Sequence, residues 1–239
     1  MGTAINSKKL ESLLTVARGF GDWSNKVVFI GGKVLGLYLT DPAAPEHRPT
    51  EDVDCLISVP GIGMLLGWED FLKNQGFTKA DPLQSPATHW YYQGHRVHLL
   101  PPNPELLGFE NHWFEEGLFH ARSQPLVEGL TIRIFTPVYY LSTKLEAMFA
   151  RGWHDLRQSE DFQDLIYLIE GRPEIEGEVD SAFYEVRDYI RLSFQSLLRH
   201  PQLREGLYYA FPLPQSRNRV EHLIGKLASL ADRNLVATG

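Results

Sequence analysis

The chain has 239 residues, 43% apolar and 22% charged, which is ordinary globular usage and excludes fibrous, collagenous and wholly disordered proteins. Lys and Arg number 23 against 30 Asp and Glu, a net charge of −7 that argues against a nucleic-acid coat or a basic membrane-surface module. It leaves room for an enzyme that holds an anionic substrate in a local basic pocket. The one cysteine, Cys55, excludes an internal disulfide and points to a reducing compartment. The opening residues lack a secretory apolar region, and the apolar stretch from Val27 to Leu39 is too short to cross a bilayer. The expected location is cytoplasmic, with no membrane partner.

Leu10, Leu13, Leu14 and Ala17 have helical spacing, and the glycines at 19 and 21 stop that helix. Lys26-Val-Val-Phe-Ile30 is a β-branched run that predicts a buried strand. Gly31-Gly32 follow, and Val34 to Leu39 predict a short helix. A Pro- and Ala-rich loop covers 41–49. Asp52 to Val59 predicts a second strand, 60–63 a turn, and Trp68, Phe71 and Leu72 a helix ending near Gly76. Thr88–Gln93 and His95–Leu100 predict a hairpin about Gly94, closed by Pro101-Pro102. Thr131–Phe135 predicts a last strand.

Beyond Thr136 nearly everything has helical period. Thr136 is a good N-cap and Pro137 suits the first helical position. Leu141, Leu145, Met148, Phe149 and Gly152 mark one helix face, and Phe162, Leu165, Ile166 and Ile169 a second helix ended by Gly171 and Pro173. A third is expected from Val179 to His200, with Phe183 turned inward. Val220, Leu223, Ile224, Leu227, Leu230 and Ala231 mark the last. The predicted fold class is α+β, with a small mixed sheet in a domain of residues 1–136 and a helical domain of residues 137–239.

The sharpest local feature is Arg48-Pro-Thr-Glu-Asp-Val-Asp54. Asp52 and Asp54 are two apart at a strand start, so both carboxylates share one face. Adjacent carboxylates repel unless a cation lies between them. Paired oxygen ligands suit Mg²⁺, which binds through one or two carboxylates plus substrate phosphates. A bare D-x-D is more often a solvated strand edge. Here it follows a strand, a glycine pair and a helix start, where backbone N–H groups can approach phosphate.

These strings resemble the nucleotidyltransferase (DNA polymerase β-like) superfamily: Ile30-Gly-Gly, Leu37-Tyr-Leu and Arg48-Pro-Thr-Glu-Asp-Val-Asp54. The match narrows to the AbiEii-like abortive-infection toxin nucleotidyltransferases. Arg96-Val-His-Leu-Leu-Pro101 with Leu107-Gly-Phe-Glu-Asn111 is similar to that family's third strand and following loop. Leu141-Ser-Thr-Lys-Leu-Glu-Ala147, Arg151 and Ser159-Glu-Asp-Phe-Gln-Asp-Leu165 are similar to its lysine and aspartate motifs. The similarity spans residues 25 to 172.

The resemblance implies a small mixed sheet with a helical appendage. It implies Mg²⁺-dependent transfer of a nucleoside monophosphate from an NTP to a hydroxyl acceptor. Gly31 and Gly32 would cradle the triphosphate beside Lys33, with Arg48 and Arg151 as further nucleotide-binding cations. Asp52 and Asp54 would hold the metal, and Lys144 would contact phosphate or stabilise departing charge. Asp161 or Asp164 would act near the acceptor or nucleotide. The implied setting is toxin–antitoxin or phage defence, with tRNA or other RNA as acceptor and an antitoxin as partner. Aminoglycoside-type enzymes of the same superfamily offer a small-molecule acceptor instead, and a non-catalytic nucleotide- or partner-binding relative is a third reading.

Helix geometry bears on one part of this. Lys144 and Arg151 are seven apart, about 20° from one another around a helix. They give a cationic stripe suited to a triphosphate, which Asp155 joins if the helix continues. The plain alternative is a solvated face with local ion pairs. Acidic Asp161 and Asp164 also suit a first helical turn for dipole reasons alone.

One departure stands out. Where the superfamily places a third carboxylate on the later strand, this chain has His98. Imidazole is a poor Mg²⁺ ligand but can accept a proton, so one metal, a histidine base, and altered activity are all compatible. His89, His95 and His98 cluster without metal-site spacing. Trp90, Tyr91 and Tyr92 read as strand residues and Trp113, Phe114 and Phe119 as packing residues. Cys55, on the face opposite Asp54, reads as core.

Overall fold

A computed structural model describes residues 7–45, 48–57, 62–81, 88–100, 110–211 and 216–232. The expected features at 58–61, Pro101-Pro102 and 107–109 lie outside them. The chain forms an α+β structure whose contacts divide it into two compact units. The first holds Met1–Gly36 and Pro49–Thr136, and the second Leu37–Arg48 and Pro137–Gly239. Among the described residues, no helix is long and apolar enough to cross a membrane.

The first unit is built on a seven-stranded mixed sheet. Its strands are β1 (Val27–Ile30), β2 (Val53–Ile57), β3 (Thr78–Lys79), β4 (His89–Tyr92), β5 (His95–Leu100), β6 (Arg122–Val127) and β7 (Leu130–Ile134). Their order is β3-β4-β5-β2-β1-β7-β6. β1 runs antiparallel to β2 and parallel to β7, and β2 runs parallel to β5. A strand flanked on both sides and covered on both faces must be apolar throughout, and Val27, Val28, Phe29 and Ile30 are all buried.

α1 (Ser7–Phe20) packs on the sheet through Leu13, Val16, Ala17 and Phe20. Phe20 meets Phe29 edge-on at 6.0 Å and Phe77 at 5.1 Å. α2 (Ile62–Asn74) adds Trp68 and Leu72, and α3 (Trp113–Phe119) adds Phe114. Phe119, expected to pack, is 82% exposed because it falls on the outer side of this short helix. β4 and β5 join through Gln93-Gly94, both at positive φ (47° and 81°), the two-residue turn whose twist matches a hairpin.

The second unit is helical: α4 (Pro137–Ala147), a π turn (Met148–Gly152), α5 (Glu160–Gly171), α6 (Ile175–Asp180), α7 (Tyr184–Leu198), α8 (Leu203–Tyr209) and α9 (Arg217–Ala231). α4 is buried almost all round, the mark of a central helix. Ser159 caps α5 by accepting the Phe162 N–H at 3.2 Å. The segment Leu37–Arg48 is pinned to this unit. Thr40 and Asp41 donate their N–H groups to the Gly171 carbonyl at 2.9 and 3.0 Å. Arg172 donates to the Tyr38 carbonyl at 2.7 Å, and the Tyr38 and Tyr140 rings lie 4.6 Å apart.

Two helical expectations are corrected. The long third helix is two, α6 and α7, because Phe183 takes an extended conformation (φ −55°, ψ 145°) that no helix continues through. That break turns Phe183 outward, at 64% exposure. The helix through Lys144 also stops short of Asp155. It widens into the π turn and ends at Gly152, where a Cβ would lie 2.0 Å from the Ser159 hydroxyl.

Candidate active site

In the first unit, β1 ends at Ile30 and the chain turns at Gly31, whose φ of +75° suits glycine alone. A Cβ there would lie 2.0 Å from Asp54 Oδ2. The turn therefore brings bare backbone against that carboxylate, as the register of Ile30 opposite Asp54 requires. A 3₁₀ turn, Gly32–Leu37, follows. Half-burial pulls the Lys33 ammonium below its ordinary pKa, against the opposing pull of Asp52 and then Glu51.

β2 and β5 run side by side with Asp54 next to His98. His98 Nδ1 lies 3.2 Å from Asp54 Oδ1, and Nε2 lies 3.0 Å from the Thr88 hydroxyl. The His89 ring stacks on it at 4.3 Å. Two residues earlier on the same strand face, Arg96 grips Asp52 with both ends of its fork. Nε donates to Oδ1 at 2.5 Å and Nη2 to Oδ2 at 2.8 Å. Gly31, Lys33, Asp52, Asp54 and His98 are thus gathered where β1 ends and β2 begins, with β5 alongside. Among the described residues no group of three His, Cys, Asp or Glu side chains could hold a metal by itself. The pair of carboxylates could serve an ion that also takes phosphate oxygens. Cys55 points to the opposite face and is fully buried. Burial, then the Asp54 charge, holds its thiol well above its usual pKa.

The remaining candidates lie in the second unit. Lys144, on α4, bridges Asp161 Oδ1 at 2.9 Å and Asp164 Oδ2 at 2.6 Å on α5. Arg151 holds Asp161 through Nε at 2.7 Å and Nη2 at 3.0 Å. Arg48 lies 3.3 Å from Asp164 and 3.1 Å from Glu160. Three cations thus face three carboxylates, and Lys144, Asp161 and Asp164 are buried. Burial alone would lower the Lys144 pKa, but Asp164 and Asp161 raise it above its ordinary value. Burial raises the Asp161 carboxyl, but Lys144 and Arg151 overcome this and bring it down to about 2. Arg151 finds its partner ten residues ahead; Asp155, on the loop, is held instead by Arg157.

A folded pKa below the unfolded one stabilises the protein above the unfolded value. That contribution disappears as protons bind. Stability from Asp161 is therefore expected to be full above about pH 4 and to fall by about 2 kcal/mol between pH 4 and pH 2. Urea melts across pH 2–5 measure it, and Asp161→Asn should flatten that part of the profile.

Arg96 and Thr88 had no assigned role in the sequence. Period two counted back from His98 places Arg96 on the site face, a signal that was available. Nothing local marks Thr88.

Comparison with known proteins gives weak likenesses. No family model matches the chain. No curated protein matches it either. Among solved structures it is similar to JHP933 of Helicobacter pylori, with 14% identity, a TM-score of 0.46, and coverage of 95% of this chain and 90% of that one. It is also similar to a protein of the same organism named as a candidate nucleotidyltransferase, with 12% identity, a TM-score of 0.40, and coverage of 94% and 90%.

Proposed function

We propose that the chain is a nucleotidyltransferase, moving a nucleoside monophosphate from an NTP to a hydroxyl acceptor and releasing pyrophosphate. The observation that carries this is the contact between the positive-φ turn at Gly31 and the Asp54 carboxylate. It sets a backbone able to approach phosphate beside a group able to hold the phosphate's counter-ion. Asp52 and Asp54 fit Mg²⁺ by donor type. The ion, when bound, would supply charge neutralisation at the triphosphate.

The chain's own groups do the rest. The Gly31 turn sets bare backbone against the Asp54 carboxylate, and Lys33 supplies a cation beside Asp52. His98 Nδ1 faces Asp54 and Nε2 is anchored on Thr88, so the imidazole is held in one orientation. With Nδ1–H toward Asp54, Nε2 is the basic nitrogen, and by exchanging the Thr88 hydroxyl for the attacking hydroxyl it would take that proton, the role of a third carboxylate in the enzymes the sequence resembles. Lys144, Arg151, Asp161 and Asp164 enter as a paired framework of the helical unit, their charges already matched. The AbiEii-like resemblance adds tRNA or other RNA as acceptor, an antitoxin partner and a cytoplasmic setting. The net charge of −7 favours a short local groove for that acceptor over an extended basic face.

The test is thermal melting with each NTP, with and without Mg²⁺. A ligand at about a hundred times its Kd adds about 2.7 kcal/mol, so the melting point should rise by roughly 5–10 °C only when both are present. Incubation with labelled NTP and total RNA then identifies the acceptor. No stabilisation by any Mg²⁺–NTP combination overturns the proposal.

A further inference from the structure

We propose that Arg96 is a triphosphate-binding residue that Asp52 holds until metal arrives. The inference rests on the nucleotidyl-transfer reading of the same site and assigns it an additional residue. Both Asp52 oxygens are engaged by the Arg96 fork, at 2.5 and 2.8 Å. Arg96 Nη1 also lies 3.4 Å from Glu51. Arg96 and His98 alternate along β5, so both stand on the face that carries Asp54. A carboxylate whose oxygens both accept from a guanidinium has its best lone pairs in use. Mg²⁺ and Arg96 therefore compete for Asp52.

The competition has a product. When the ion takes Asp52, the guanidinium is released beside it, with its side chain already 42% exposed. A planar fork that fits a carboxylate fits a phosphate equally well, and arginine does not lose its charge. The partner such a freed fork would take is a phosphate oxygen of the nucleotide. Arg96 thus opposes metal binding before the nucleotide arrives and assists the nucleotide afterwards. It makes the two ligands depend on one another, which is a coupling of two binding events. It also supplies a fixed positive charge in a site whose third carboxylate is replaced by His98.

The test is calorimetric, on the full chain, with MgCl₂ alone and with inorganic tripolyphosphate at saturating Mg²⁺. In Arg96→Gln, Mg²⁺ alone should bind about tenfold more tightly, because Asp52 is released. Tripolyphosphate should bind about tenfold or more weakly, the size expected for one charge-assisted hydrogen bond. Opposite signs from one substitution are the signature. An arginine that only braces the strand would weaken both, and a thermal melt of the variant checks that it folds. Weaker Mg²⁺ binding or unchanged tripolyphosphate binding in the variant overturns the role of Arg96 alone. Absence of both binding events in the unaltered chain overturns the nucleotidyl-transfer reading and this role with it.

Discussion

Asp54→Ala is expected to abolish the stabilisation by Mg²⁺ and NTP and to lower nucleotidyl transfer by about a thousandfold or more. The magnitude is that of losing the proposed ion, whose charge on the transferring group would be worth several kcal/mol. Asp54 serves three neighbours at once: the bare backbone of Gly31, the His98 imidazole and the proposed ion. Asp54→Asn keeps the shape and the hydrogen-bonding reach but loses the charge. It should melt near the unaltered chain and still fail to respond to Mg²⁺. The pair of variants separates folding from function. Labelled-NTP transfer and thermal melting read both effects, and an Asp54→Asn protein retaining a tenth or more of the activity would remove Asp54 from the site.

The largest stability effect should come from Lys144. Its ammonium is buried between Asp161 and Asp164, with Arg151 and Arg48 completing the pairing. Lys144→Met leaves two buried carboxylates short of a cation, and breaking such a pair costs about 3–5 kcal/mol. For a chain of this size that lowers the melting point by roughly 6–20 °C. Lys144→Met with Asp164→Leu replaces charge by apolar volume and should recover part of the loss. Urea and thermal melts of the singles and the double complete the cycle. A single-variant loss below about 1 kcal/mol would mean that the network is not a framework.

The signals legible in sequence were the local ones. β1 was visible as a β-branched run, the Gly31 turn as a glycine pair, and the shared face of Asp52 and Asp54 as a period of two. What escaped is not written in local composition. β6 alternates half-buried and exposed residues but carries Arg, Ser, Gln and Pro, with an irregularity between Pro125 and Val127, so its composition reads as loop. β3 is two exposed residues defined by pairing with β4. The split between α6 and α7 rests on one extended residue, Phe183, whose apolar side chain fits the helical pattern it interrupts. At the site, Arg48 was expected with the nucleotide as part of the string that carries the resemblance. The fold pairs it with Asp164 and Glu160 in the helical unit. Spacing gives faces and periods, but it cannot choose between carboxylates more than a hundred positions apart.

The segment Leu37–Arg48 has a consequence for synthesis on the ribosome. Residues from both sides of it complete the sheet, and all of them have been made once Thr136 is added. The segment itself belongs with helices that do not yet exist at that moment. Its carbonyl acceptor at Gly171 and the carboxylates that hold Arg48 are among the residues still to come. The nascent chain must therefore carry an unsatisfied stretch between β1 and β2, directly ahead of Asp52. The stretch ahead of the D-x-D strand gains its partners only after α5 has emerged, so its folding waits on the translation of the carboxy-terminal half.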